Sequence, residues 1–137
     1  MKKWVLLIIF GLLGAWSCSK DSEGLNKAAT WEVPGSESIV EFYYLKGTME
    51  EQDLKFKVRE IAENLSSQHS VVQVFVFYDK GFARKMDSEK VKRDFYEKGM
   101  GPGIMLLSDP GQKVQGGALM ILSKDHPEPE WYYQPPL

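Results

Sequence analysis

Hydrophobic and polar positions divide the chain into three stretches. Residues 4–16 read WVLLIIFGLLGAW and carry no charge, whereas residues 19–30 read SKDSEGLNKAAT and show no apolar periodicity. Beyond them, apolar segments alternate with charged ones to the end of the chain. This pattern predicts an apolar leader, a flexible polar tether over residues 18–30, and a single small folded domain over residues 31–137.

Apolar segments rich in β-branched and aromatic residues predict the main strands. They are SIVEFYYL at 38–45, VVQVFVFY at 71–78 and GALMILS at 117–123. The middle segment is apolar on both faces, which predicts a central strand. A short strand is possible at residues 104–107. Trp131–Tyr133 predicts a short edge strand after the proline-rich connection DHPEPE at 125–130.

Two segments have the features of helices. Thr48 and Glu51 form a T-x-x-E capping box. An apolar stripe at helical spacing follows it, consisting of Leu54, Val58, Ile61, Ala62 and Leu65. This helix should end near residues 66–69. A weaker helix is predicted over Asp87–Lys98, and Asp79-Lys80-Gly81 is interpreted as a turn.

The order of these elements predicts an α+β fold. We expect a two-layer sandwich in which two helices cover one face of a mostly antiparallel sheet of about four strands. The predicted order is β-α-β-α-(β)-β-β.

The N-terminus has the layout of an export signal. Lys2 and Lys3 precede thirteen uncharged residues, which are too few for a spanning helix of roughly 20 residues but suit the apolar core of a signal peptide. Ala15 and Ser17 are small and Cys18 follows. Residues 1–18 therefore resemble a bacterial lipoprotein signal. The resemblance implies that residues 1–17 are removed and that the Cys18 thiol receives a diacylglycerol.

The same resemblance implies a lipid-anchored protein of the bacterial cell envelope, with membrane lipid as its partner through acylated Cys18. Ser19 stands where aspartate would signal inner-membrane retention, which favours the outer membrane. Cys18 is the only cysteine, so no disulfide partner exists within the chain. Loss of Lys2 and Lys3 with the signal changes the formal net charge from −2 to −4. An acidic domain argues against nucleic acid as a partner.

Catalytic and metal-binding patterns are missing from the sequence. A cysteine nucleophile is excluded because Cys18 would be acylated, and no G-x-S-x-G occurs. His69 and His126 are the only histidines, and neither belongs to a pair with the spacing of zinc ligands. Gly99–Gly103 follows a predicted helix and lacks the third glycine of a phosphate loop. We therefore predict no catalytic residue, no metal site and no cofactor.

A recognition surface is the remaining candidate site. Trp131, Tyr132 and Tyr133 are consecutive, so strand pleating points them to both sides of a strand. Aromatic residues near an edge are favoured in partner surfaces. His126 and Met100 could join them. The alternative is that Trp131 and Tyr133 close the core while Tyr132 is merely exposed, and that His126 is a solvated turn residue.

These observations predict a non-catalytic binding module anchored in the envelope. Its ligand would be an envelope protein, a glycan or a small molecule. Two alternatives remain open at this point. One is an envelope hydrolase assembled from residues distant in sequence. The other is an inhibitor or immunity-type lipoprotein that uses residues 99–103 and 125–134 as protruding contacts.

Overall fold

The computed structural model describes residues 22–32, 36–97 and 116–136. Several expectations lie outside these ranges. They are the signal peptide with Cys18, the loop at residues 99–103 with Met100, and the possible strand at residues 104–107.

The described residues form five strands and three helices. The strands are β1 (Gly24–Glu32), β2 (Ser38–Lys46), β3 (Val71–Phe77), β4 (Gly117–Ser123) and β5 (His126–Gln134). The helices are α1 (Glu51–Ser66), α2 (Lys80–Lys85) and α3 (Glu89–Glu97). The strands form one sheet in the order β1-β2-β3-β4-β5. The predicted α+β class is confirmed.

The sheet is mixed, because β2 and β3 are parallel while the neighbouring pairs are antiparallel. A parallel pair needs a crossover connection, and α1 supplies it. The predicted central strand is β3, which lies in the middle of the sheet. The predicted number of about four strands is too low, since the described part of the chain contains five.

β1 corrects the predicted boundary between tether and domain. Residues 24–30 were expected in the tether, yet they form most of an edge strand. The pairs Lys27–Tyr43 and Ala29–Phe42 leave one extra residue, Ala28, in a β-bulge. A shift of one residue moves the following side chains to the other face. The bulge therefore hides the two-residue period from which a strand is recognised.

Helices cover both faces of the sheet, which corrects the expectation of two layers. On one face, α1 packs over a cluster formed by Ile39, Leu45, Leu54, Val58, Ala62, Val72, Val74, Val76, Ala118 and Met120. On the other face, α2 and the residue after it belong to a cluster with Ala29, Trp31, Val40, Phe42, Tyr44, Phe75, Phe77, Ala83, Met86 and Leu119. Because β2 and β3 are apolar on both faces, burial of both faces stabilises the sheet.

The N-terminus of α1 differs from the prediction. Glu50 occupies the cap position without a side-chain capping hydrogen bond, so the proposed Thr48–Glu51 capping box is wrong. Glu51 and Asp53 lie in the first turn, where negative charge interacts favourably with the helix dipole. The predicted stripe is confirmed, since Leu54, Val58 and Ala62 are buried and Ile61 and Leu65 pack beside them.

Two short segments were assigned incorrectly. The predicted turn at residues 79–81 begins α2, because the Asp79 side chain accepts a 2.8 Å hydrogen bond from the backbone nitrogen of Phe82. The predicted connection at residues 125–130 belongs mostly to β5, which starts at His126. β5 tolerates its prolines because it is an edge strand whose register shifts beyond Ile121. None of the helices in the described ranges has the length and apolar character needed to span a membrane.

Candidate functional site

A depression of about 530 Å³ lies between the start of α1 and the end of β5. Its lining consists of Thr48, Met49, Glu50, Glu51, Asp53 and Tyr133. We call it the α1–β5 depression. Its volume is within the range of small-molecule sites, although its lining is more polar than that of most such sites.

The fold explains why these residues meet. Gly47, at a φ of +90°, lets the chain leave β2 and turn toward α1. The carboxylates of Glu50, Glu51 and Asp53 therefore gather where the helix begins. Tyr133 pairs with Ala118 of β4, which belongs to the cluster beneath α1. This register places the Tyr133 side chain on the α1 face and beside the helix N-terminus.

Trp131 connects the two sides of this region. Its indole Nε1 donates a 3.2 Å hydrogen bond to Oε1 of Glu51. The rings of Trp131 and Tyr133 are nearly parallel, with centroids 6.3 Å apart and planes 10° apart. The pair therefore forms an aromatic wall, and its indole nitrogen orients one of the carboxylates of the depression.

Tyr78 directly follows β3 and, like Trp131 and Tyr133, packs against the cluster beneath α1. Burial is the largest effect that raises the pKa of Tyr78 above its ordinary value. The neighbouring Tyr133 hydroxyl and the negative charge of Glu51 raise it further. Tyr78 is therefore a neutral phenol at physiological pH.

The depression is rich in hydrogen-bond acceptors. In the described part of the chain, no ion pair neutralises Glu50, Glu51 or Asp53. Ionised carboxylates accept hydrogen bonds and donate none. The arrangement can therefore bind ligand groups that donate, such as hydroxyl, amide or ammonium groups, while the Tyr133 ring provides apolar contact. Among the described residues the lining contains no serine, cysteine or histidine, so the groups it offers for chemistry are its carboxylates and the hydroxyls of Thr48 and Tyr133.

The predicted aromatic surface is divided between two faces. Trp131 and Tyr133 are partly buried against the cluster beneath α1. Tyr132 is 42% exposed on the opposite face, where its hydroxyl donates a 2.9 Å hydrogen bond to Glu130. His126 is exposed at the far end of β5, opposite Ser123. At about 3.4 Å per residue, His126 lies well away from Trp131. Met100 is outside the described ranges.

Sequence reasoning missed most of the α1–β5 depression. Glu50 and Asp53 were unremarkable because carboxylates are common in the first turn of a helix. Glu51 was assigned to capping, and nothing in the sequence connected it with Trp131, 80 residues away. The acidic run Glu50-Glu51-Gln52-Asp53 was the local sequence feature that could have indicated this depression. Its significance depends on what the sheet places beside it.

A second polar group is buried beneath the α1 face, near β1. Glu41 is only 4% exposed. Lys27 Nζ lies 3.0 Å from its Oε1, and the Tyr43 hydroxyl donates to its Oε2. Burial, followed by this hydrogen bond and the Glu41 charge, raises the pKa of Tyr43. Both carboxylate oxygens are satisfied within the protein, which indicates a structural role.

No group of three or more acidic, histidine or cysteine side chains in the described ranges has the arrangement of a metal site. Comparison of the chain with protein-family models, with curated proteins and with solved structures finds no match.

Proposed function

We propose that this protein is a lipid-anchored component of a bacterial envelope, and that its folded domain is a non-catalytic binding module. Support for the anchor comes from residues 1–18, with Lys2 and Lys3, the uncharged stretch and Cys18. Acylation at Cys18 would attach the domain to a membrane, because more than one buried acyl chain holds a protein stably.

The α1–β5 depression carries the binding proposal. Three carboxylates with no ion-pair partner among the described residues stand beside the ring of Tyr133. This combination suits a ligand that offers both hydrogen-bond donors and an apolar surface, as a glycan or a basic protein segment does. The lining lacks the serine, cysteine and histidine of the common catalytic triads, but it contains carboxylates, which glycoside hydrolases use as acid and base. An envelope hydrolase therefore stays the alternative.

The anchor is tested by metabolic labelling. The full-length chain and Cys18→Ala are produced in a bacterial host supplied with labelled palmitate. The unaltered chain should incorporate label and fractionate with membranes, and Cys18→Ala should incorporate none. An unlabelled wild-type protein would contradict lipid anchorage while leaving the binding proposal standing.

The binding site is tested with charge-matched variants of the full chain, purified in mild detergent. Binding to solubilised envelope glycan fragments and envelope proteins is compared for the unaltered chain, for Glu50→Gln/Asp53→Asn and for the control Glu60→Gln/Glu97→Gln. Glu60 and Glu97 are exposed helical residues outside the depression. Binding should weaken at least about tenfold in the first variant only. Equal weakening in both would indicate a general charge effect and refute the site.

A further inference from the structure

The two halves of the edge strand β5 differ in regularity. Residues 130–134 pair one to one with residues 121–117 of β4, whereas the register shifts closer to the turn. The irregular half contains Pro127 and Pro129, which have no backbone N–H to offer an added strand. The regular half, Glu130–Gln134, has no strand on its outer side within the described part of the chain.

The opposite edge of the sheet, β1, is protected against the addition of another strand. β1 contains the bulge at Ala28, and the neighbouring Lys27 side chain is 52% exposed. Bulges and lysines on edge strands both oppose the addition of another strand. Strand addition is therefore favoured at β5, and specifically at its regular half.

We propose that the regular half of β5 pairs antiparallel with the same segment of a second copy of this chain, about a twofold axis at Tyr132. In this register, Tyr132 faces the partner's Tyr132, and Trp131 faces the partner's Tyr133. Glu130 faces the neutral Gln134 of the partner subunit. No like charges are opposed, and three aromatic cross-strand pairs form, because the Trp131–Tyr133 pair occurs twice about the axis. Such aromatic pairs stabilise antiparallel strands.

The proposed twofold axis is perpendicular to the sheet. Pairing of the two β5 strands about it therefore joins the sheets of both copies into one continuous sheet, with both α1 helices on the same face of that sheet. It also closes the assembly at two copies, because the same surface is used by both. The partner's Trp131 then lies beside Tyr133, next to the wall of the α1–β5 depression. Pairing does not depend on the ligand of that depression, so its test is separate from the test of binding.

Cross-linking tests the register. Single cysteines are introduced into the full chain in a Cys18→Ser background and oxidised in mild detergent. Tyr132→Cys should form a disulfide-linked dimer, since directly opposed residues on antiparallel strands lie within disulfide reach. Glu130→Cys and Gln134→Cys should cross-link when mixed with each other, and each alone should cross-link at least about tenfold less. Lys57→Cys, exposed on α1, is the control. Linkage of Lys57→Cys equal to that of Tyr132→Cys would overturn the proposal.

Sedimentation of the full chain in detergent tests the association itself. Tyr132→Lys would place like charges opposite each other and remove an aromatic contact, so the dimer dissociation constant should rise about tenfold. Phe56→Lys is the matched control, because Phe56 is 65% exposed on α1, away from β5. Circular dichroism should show both variants folded. A monomeric wild-type protein at all concentrations would overturn the proposal, as would equal weakening by both variants.

Discussion

The indole nitrogen of Trp31 donates a 2.6 Å hydrogen bond to the backbone oxygen of Met86, 55 residues away. Trp31 is 1% exposed, and its ring centroid lies 4.6 Å from that of Phe42. Met86 directly follows α2 and belongs to the same cluster. This contact joins the edge strand β1 to the layer that covers the second face of the sheet, so β1 is an integral part of the domain.

Trp31→Phe should therefore be strongly destabilising. The smaller ring leaves a cavity and removes the indole donor of this buried hydrogen bond, and the two effects together cost about 2–4 kcal/mol of unfolding free energy. Trp131→Phe is the matched control, because its indole bonds to the Glu51 side chain in an exposed setting. It should cost less than about 1.5 kcal/mol. Urea denaturation measures both, and equal losses would contradict the assigned role of Trp31.

Lys27→Met should destabilise the protein by about 1–3 kcal/mol, because it leaves the buried Glu41 carboxylate without its cation. This expected loss of stability is smaller than the loss for a fully buried ion pair, since half of the Lys27 side chain is exposed. Adding Glu41→Gln removes the unpaired charge and should restore part of the loss. Arg59→Gln breaks the exposed pair with Glu63 and should cost at most about 0.5 kcal/mol. Strictly additive effects of the Lys27 and Glu41 substitutions would argue against their coupling.

Gly116→Ala tests the entry into β4. Gly116 has a φ of +87°, and an added Cβ would lie 2.5 Å from the backbone oxygen of Pro135. Gly24 has a similar φ of +93°, but its Cβ position has no neighbour within 4 Å. Both alanine variants carry the backbone cost of about 1 kcal/mol, and Gly116→Ala adds a clash with main chain, for a total above about 2 kcal/mol. Thermal unfolding should separate the two, and similar melting temperatures would refute the close approach.

Alkaline pH should destabilise the domain. Burial and the neighbouring Glu41 raise the pKa of Tyr43 above the ordinary tyrosine value of 10.0. The unfolded chain therefore loses this proton at a lower pH than the folded chain does. The associated stability is complete below about pH 10 and declines as the pH rises toward the folded-state pKa. Denaturation at pH 8 and pH 11 should show a smaller decline for Tyr43→Phe than for the unaltered chain. An unchanged decline would exclude Tyr43 as a source.

Strong local patterns predicted their elements well. The stripe from Leu54 to Leu65 predicted α1, and the apolar segment at residues 71–77 predicted the central strand. β1 was missed because its bulge at Ala28 shifts the alternation, so that Lys27 and Trp31 lie on opposite faces. The short helix α2 was missed because its Asp79 cap resembles a turn and its apolar residues contact the sheet only through tertiary packing.

In the candidate site, too, local features were predictable from the sequence and tertiary contacts were not. The sequence showed that Trp131 and Tyr133 must share a face of a strand, because side chains alternate with a period of two. It could not show that Glu51, 80 residues earlier, lies within hydrogen-bond distance of Trp131. That contact depends on the crossover through α1 and on the register of β5 against β4.

The amino-acid sequence by itself determined the α+β class, the amphipathic face of α1 and the doubly apolar centre of the sheet, since these depend on the local spacing of hydrophobic residues. Tertiary structure alone decided the parallel pairing of β2 with β3, the covering of both sheet faces and the meeting of the Glu51 carboxylate with the Trp131–Tyr133 wall. These features arise from contacts between residues far apart in the chain. Their free energy comes from joint burial, which no local pattern records.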